Sequence, residues 1–150
     1  MANALGILDK LRTIELFEDL TDTELATLAK GMFPKHYLGG QTLFFSGMPG
    51  ELMYVVLSGE LEILRSDTDG EHLVALLGPG QFAGEGSLIL EGHRSTNCRV
   101  HQDSELLILT KRTYQDLVAS NPAITTKLLT AFLKTNIVRL RRGNQPLQLA

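Results

Sequence analysis

The residues best suited to chemistry lie in one short stretch, Phe82-Ala83-Gly84-Glu85-Gly86-Ser87-Leu88, followed after a spacer by Arg94-Ser95-Thr96. Gly84 and Gly86 let a ligand come close to the backbone. Gly86-Ser87 can open a short helix, whose unpaired N–H groups suit a phosphate. Arg94 brings a permanent charge and a planar fork of donors that fits two phosphate oxygens at once. Ser95 adds a hydroxyl. Glu85 is acceptor-only when ionised, so it suits a sugar hydroxyl and would repel a phosphate placed beside it. Together these types and spacings specify an anion next to a hydroxyl. The plainer reading of Glu85 and Arg94 is a surface ion pair on a loop, worth little by itself.

Other chemistry has less support. The four histidines, His36, His72, His93 and His101, form no His-x-His or His-x-x-x-His pair, which weighs against a metal centre and against a metal-dependent roll enzyme of the cupin type. His93 adjoins Arg94 and would feel an anion there, although a solvated or packed ring is the simpler expectation for all four. The single cysteine, Cys98, excludes an intrachain disulfide and a cysteine-ligated cluster, and is expected as a small buried apolar side chain. No nucleophile–base pair is recognisable, so an enzyme is not expected, nor any metal or cofactor.

The elements around that stretch follow from periodicity. The first 32 residues read as helix, with Leu5, Leu8, Leu11 and Leu16 near helical spacing. Thr21-Asp22-Thr23-Glu24 forms a capping-box pattern, and Gly31 fits the helix end. From Phe33 to Leu109 short apolar runs are cut by glycine: Met53–Leu57 stopped at Ser58-Gly59, then Leu61 and Ile63 alternating with glutamates. Asp67-Thr68-Asp69-Gly70 marks a hairpin into Leu73–Leu77, and two further strands are expected near 96–101 and 105–109. This texture predicts a mainly β chain, an antiparallel roll of jelly-roll type with N-terminal helices and a long C-terminal helix.

After residue 109 the helical period returns. Thr110 can cap one helix, and Asn121-Pro122 offers a cap followed by proline at the first helical position of a second, running to about Arg142. Gly143 is expected to end it and residues 143–150 to form a tail. On this last helix Leu128, Phe132 and Val138 can face the roll while Leu129, Leu133, Ile137 and Leu140 face elsewhere, either a second copy or the same roll. Lys134, Arg139, Arg141 and Arg142 complement the helix dipole at its end, and nucleic-acid contact is the sharper reading of the same residues.

At 150 residues and a formal charge of −3, the chain fits one domain whose surface has no field to attract nucleic acid, so direct DNA binding is not expected. The N-terminus lacks a signal-peptide pattern, and no apolar run is long enough for a membrane span. A cytoplasmic location without membrane contact is the expectation.

The order and spacing of Gly84-Glu85 and Arg94-Ser95 resemble the phosphate-binding cassette, here residues 82–96, of the cyclic nucleotide-binding domain family. Pro49-Gly50-Glu51, Tyr54-Val55-Val56, Ser58-Gly59-Glu60 and the turn Gly78-Pro79-Gly80-Gln81-Phe82 are similar to that family's other signatures. The resemblance implies that Glu85 accepts from a ribose 2′-hydroxyl and that Arg94 pairs with the cyclic phosphate. It implies that Gly84, Gly86, Ser87, Ser95 and Thr96 complete the pocket and that Val74 touches base or sugar. It also implies a terminal-helix lid around residues 136–140, with Arg139 facing the purine, and cAMP or cGMP as ligand. A homodimer through that helix and an effector protein of unknown identity are the implied partners. Gly86, Ser87 and Thr96 depart from the usual family residues, which leaves open a scaffold of the same fold that needs no nucleotide.

Overall fold

A computed structural model describes residues 4–142, with side chains from Gly6 onward. The expectations for Met1–Asn3, the Leu5 side chain, Gly143 and the tail lie outside the described residues. Helix α1 (Ala4–Arg12) and a 3-10 turn (Glu15–Phe17) lead into α2 (Asp22–Lys30), so the N-terminal helical region is two helices around a tight turn. The capping box forms as its sequence predicts: Glu24 N–H donates to Thr21 Oγ1 at 3.2 Å, and Thr21 N–H donates to Glu24 Oε1 at 2.8 Å. Gly31 is the C-cap.

Six strands follow: β1 (Phe33–Tyr37), β2 (Thr42–Phe44), β3 (Leu52–Asp67), β4 (Gly70–Leu77), β5 (Phe82–Ala83) and β6 (Asn97–Thr110). The short helix α3 (Gly86–Ile89) lies between the last two. All pairings are antiparallel, in the order β1-β6-β3-β4, with β2 added to β6 and β5 to β3.

The β3–β6 ladder is buried on both faces, which explains the unbroken apolar runs at 53–56 and 106–109. Because side chains alternate along a strand, Met53 and Val55 with Leu107 and Leu109 turn toward the helices and join Leu28, Leu117, Leu128 and Phe132. Tyr54 and Val56 with Leu106 and Ile108 turn into the roll, against Phe44, Leu61, Ile63, Leu77 and Cys98. One ladder therefore closes both cores.

Two expectations about strand ends are corrected by this pairing. The runs at 53–57 and 61–63 belong to one 16-residue strand, and those at 96–101 and 105–109 to one of 14. What looked like a stop at Ser58-Gly59 is a bulge, where the β3–β6 register shifts. Gly59 has φ +92, and an added Cβ would collide with Ser104 Oγ and lie 2.5 Å from the Asp103 carbonyl.

Helix α4 (Lys111–Ser120) starts at Thr110, whose Oγ1 accepts from Thr113 N–H at 3.1 Å. The long α5 (Pro122–Arg141) has proline in its first turn, but Asn121 makes no side-chain cap and instead donates to Ser120 Oγ. Its inward face carries Ile124, Leu128, Phe132 and Asn136. Val138, expected toward the roll, is 46% exposed. At ~100° per residue it stands about 120° round the helix from Phe132, whereas Asn136 and Arg139 continue the inward line.

Substituting Gly59→Ala should cost more than about 2 kcal/mol, because positive φ and a backbone collision act together. Urea denaturation would read this as a lower midpoint; an unchanged midpoint would mean the bulge can relax.

Candidate functional site

The Gly84–Thr96 segment is anchored at each end by the main ladder. β5 pairs Ala83 with Tyr54 and Phe82 with Val55, and the chain then turns at Gly84 (φ +90) into α3. At the far end Asn97 enters β6 opposite Leu64. The Arg94 backbone is held by the turn before β3: its N–H donates to the Met48 carbonyl at 2.7 Å, and its carbonyl accepts from Gly47 N–H at 2.8 Å.

These anchors carry the Arg94 side chain inward until it is 5% exposed. Its guanidinium carbon stands 4.0 Å over the Phe44 ring, and Nη2 donates to the Leu52 carbonyl at 2.8 Å. Nε and Nη1 are buried without a partner. Burial lowers the pKa of this guanidinium, and Tyr54, Cys98 and Glu85 oppose the shift. Unmatched buried donors on a cation are costly, so such a pair is a ready-made seat for an anion.

The surroundings fit an anion of limited size. Gly84 lies so close that a Cβ there would sit 2.8 Å from Arg94 Nη1 and 2.6 Å from the Leu52 carbonyl. A Cβ on Gly50 would strike the Ser87 hydroxyl and come within 2.9 Å of Arg94 Nε, so Ser87 and Arg94 flank one spot. Thr96, two residues after Arg94 on extended chain, is 1% exposed and its Oγ1 has no partner. Gly86 and Ser87 are buried at the start of α3, where Ser87 N–H donates to the Gly84 carbonyl at 3.2 Å. Ser95 points to solvent.

Glu85 is 1% exposed and does not pair with Arg94, which corrects the surface-pair reading of these two residues. Its Oε1 accepts from Asn136 Nδ2 at 3.3 Å and lies 3.7 Å from Arg139 Nη1. Desolvation raises its pKa to about 7, against the smaller lowering effects of a backbone N–H, Arg139, Asn136 and Arg94. The space around it, lined by Ile63, Leu77, Phe82, Ala83, Gly84 and Arg139, leaves no room for a water molecule. Val74 is half-buried against the roll core on β4 and is not among those lining residues, whereas Ile63 and Leu77 are.

The structure thus brings Gly84, Glu85, Gly86, Ser87 and Arg94 together and adds Arg139 from α5; Thr96 is buried two residues after Arg94, while Ser95 is exposed and Val74 does not line the space around Glu85. Phe44, Gly50 and the Leu52 carbonyl were missed as site residues, and Asn136 was expected only as the first residue of the lid, not as a partner of Glu85. For Asn136 a signal existed, since it is the polar break in an inward series spaced four apart.

Three of the four histidines have ordinary carboxylate partners, and the His93 backbone bridges to Pro49. His36 faces Glu105, His72 faces Asp67 and His101 faces Glu62, at 3.1, 3.0 and 2.9 Å. Burial pushes the Cys98 thiol up to about 12, so it stays protonated. Among the described residues no cluster of His, Cys, Asp or Glu is placed to hold a metal ion. Nor is any helix among them long and apolar enough to cross a membrane.

Comparison with known proteins places this geometry. The model of the cyclic nucleotide-binding domain matches residues 34–121. The Cyclic AMP receptor protein of Thermus thermophilus is 35% identical over 136 residues, covering 89% of this chain and 61% of that protein. The chain spans about three fifths of the length of the receptor-type curated relatives it matches, and a quarter or less of others. Among solved structures, the N-terminal domain of a transcriptional regulator from Streptomyces coelicolor superposes with a TM-score of 0.74 at 34% identity, covering 89% of this chain and 92% of that one. A cyclic nucleotide-binding domain from Methylobacillus flagellatus gives 0.81 at 26% identity, over 93% and 79% of the two chains.

The Glu85 environment yields a pH prediction. An acid whose pKa rises on folding destabilises the fold as pH climbs from its ordinary value, 4.5, through about 7, and the full penalty is about 3 kcal/mol above that. Glu85→Gln should therefore raise the thermal midpoint by several degrees at pH 8 and by much less at pH 5. A gain independent of pH would show that this carboxyl is not held as a buried acid.

Proposed function

The chain belongs to the cyclic nucleotide-binding domain family, and from that premise we propose that it is a non-enzymatic cytoplasmic sensor that binds cAMP or cGMP and reports occupancy through α5. The observation that carries this reading is the buried Arg94, whose Nε and Nη1 lack partners. A singly charged cyclic phosphate supplies the missing acceptors, with the Ser87 hydroxyl beside them and the buried Thr96 hydroxyl also without a partner. Glu85 then takes the ribose 2′-hydroxyl, a group shared by both nucleotides. Ile63 and Leu77 offer apolar surface to the sugar and base. Ligand contacts that differ between two positions of α5 are what would shift that helix.

A second reading has its own support. The space around Glu85 is too small for a water molecule and α5 side chains lie on the carboxylate, as they would in an interaction scaffold that uses the fold without nucleotide. Isothermal titration separates the two readings: cAMP or cGMP should saturate the protein, with 5′-AMP much weaker. The sensor reading fails if neither cyclic form binds at millimolar concentration.

Arg94→Ala should weaken cyclic nucleotide binding at least about a hundredfold, because a buried phosphate loses the cation that faces it. Arg94→Lys should restore only part of it, since an ammonium lacks the fork and the stacking on Phe44. Wild-type affinity in either variant would place the phosphate elsewhere.

The proposal includes a homodimer through α5, supported by Leu129, Leu133, Ile137 and Leu140, which are 39%, 60%, 37% and 45% exposed along the helix. Leu133→Glu should turn a dimer into a monomer in sedimentation equilibrium. A parent chain that sediments as a monomer at high concentration would refute this part.

A further inference from the structure

The end of α5 occupies the carboxylate that the proposed function gives to a ribose hydroxyl. Asn136 donates to Glu85 Oε1 at 3.3 Å, and Arg139 Nη1 lies 3.7 Å from it. Glu85 and Asn136 are both nearly inaccessible to solvent, and Arg139 lines, with Gly84 and Glu85, a space too small for a water molecule. A sugar therefore reaches Glu85 only after Arg139 has withdrawn.

We propose that Asn136 and Arg139 form an autoinhibitory latch, which seats α5 on Glu85 and must release that carboxylate before a nucleotide sugar can take it. The proposal rests on the reading of Glu85 as the sugar-binding carboxylate, and it reverses the sign expected of a lid. A lid residue strengthens binding; a latch residue opposes it.

Three features show that the latch is poised to open. The Arg139–Glu85 separation of 3.7 Å is long for an ion pair with direct hydrogen bonds, so little is lost when it parts. Asn136 keeps a partner on leaving, because its Nδ2 also donates to the Phe132 carbonyl at 2.9 Å, while its Oδ1 is buried with no partner in the closed position. Arg139 also has somewhere to go. Its guanidinium carbon stands 5.7 Å from the Phe82 ring centre, and the same side chain lines a cleft of about 340 Å³ whose other wall carries Glu15, Glu18 and Asp19. A guanidinium displaced from Glu85 thus passes from one carboxylate to a group of three.

The test compares the full chain with Asn136→Ala and Arg139→Ala at pH 8, where Glu85 is mainly ionised. Two readings are taken: hydrogen exchange of residues 133–141 in nucleotide-free solution, and titration with cAMP and cGMP. The latch requires faster exchange in both variants and cyclic nucleotide binding about three- to tenfold tighter than the parent's. Weaker binding would make the two residues lid contacts and overturn the proposal, as would unchanged exchange. Silence of the parent with binding by the variants would support a stronger latch. Silence of all three would remove Glu85 as a sugar site and the competition with it, while faster exchange in that case would identify Glu85 as a purely structural anchor of α5.

Discussion

Removing a guanidinium from water is expensive unless every donor is matched, and Arg94 is buried with two donor nitrogens unmatched. The surrounding chain is arranged to hold it there. Phe44 covers one face of the guanidinium, the Leu52 carbonyl takes one N–H, and the Met48 and Gly47 backbone groups fix its main chain. Gly50 and Gly84 are the positions where any side chain would push it out. Those partners come from β2, the turn before β3, the start of β3 and the turn after β5, so the charge can be held only by a completed roll. The doubly buried β3–β6 ladder is what keeps these parts in register.

The second charge in the site is controlled from the other side. Glu85 sits at the junction between the roll and α5, and burial holds its proton more firmly than water would. Its partners, Asn136 and Arg139, lie on the last turns of a helix whose outer face is left apolar. Further up, Lys127 Nζ meets Glu24 Oε1 at 2.6 Å, tying the first half of α5 to α2. The helix is thus pinned near its start by packing on the core and near its end by one carboxylate. A ligand that competes for that carboxylate acts on the C-terminal end of the helix.

Much of this was legible in the sequence because it is local. Thr21 and Glu24 cap a helix within one turn, Asp67 to Gly70 closes a hairpin, and Gly84-Glu85 with Arg94 lie within eleven residues of one another. The features that escaped depend on pairing across the chain. Gly59 reads as a strand end, and only its opposition to Ser104 turns it into a bulge inside a continuous strand. Phe44 and the Leu52 carbonyl serve Arg94 from 50 and 42 residues away, a relation that register supplies and composition does not. Asn136 was visible as a polar residue on an apolar line, yet its partner Glu85 is on another element. Arg139 was placed near the ligand by resemblance, and its contact with Glu85 comes from the helix phase that also turns Val138 outward.

The central claim is that the unmatched Arg94 donors receive the phosphate of a cyclic nucleotide. Its most direct test is the ¹⁵N–¹H resonance of Arg94 Nε, assigned by its loss in Arg94→Lys, and followed during titration with cAMP and then cGMP. The account predicts a single slowly exchanging guanidinium signal that moves downfield and saturates with a cyclic nucleotide, while 5′-AMP leaves it nearly in place. A signal that stays put at saturating concentrations of both cyclic nucleotides would contradict the account, because the buried Arg94 donors that lack partners would not have met the phosphate.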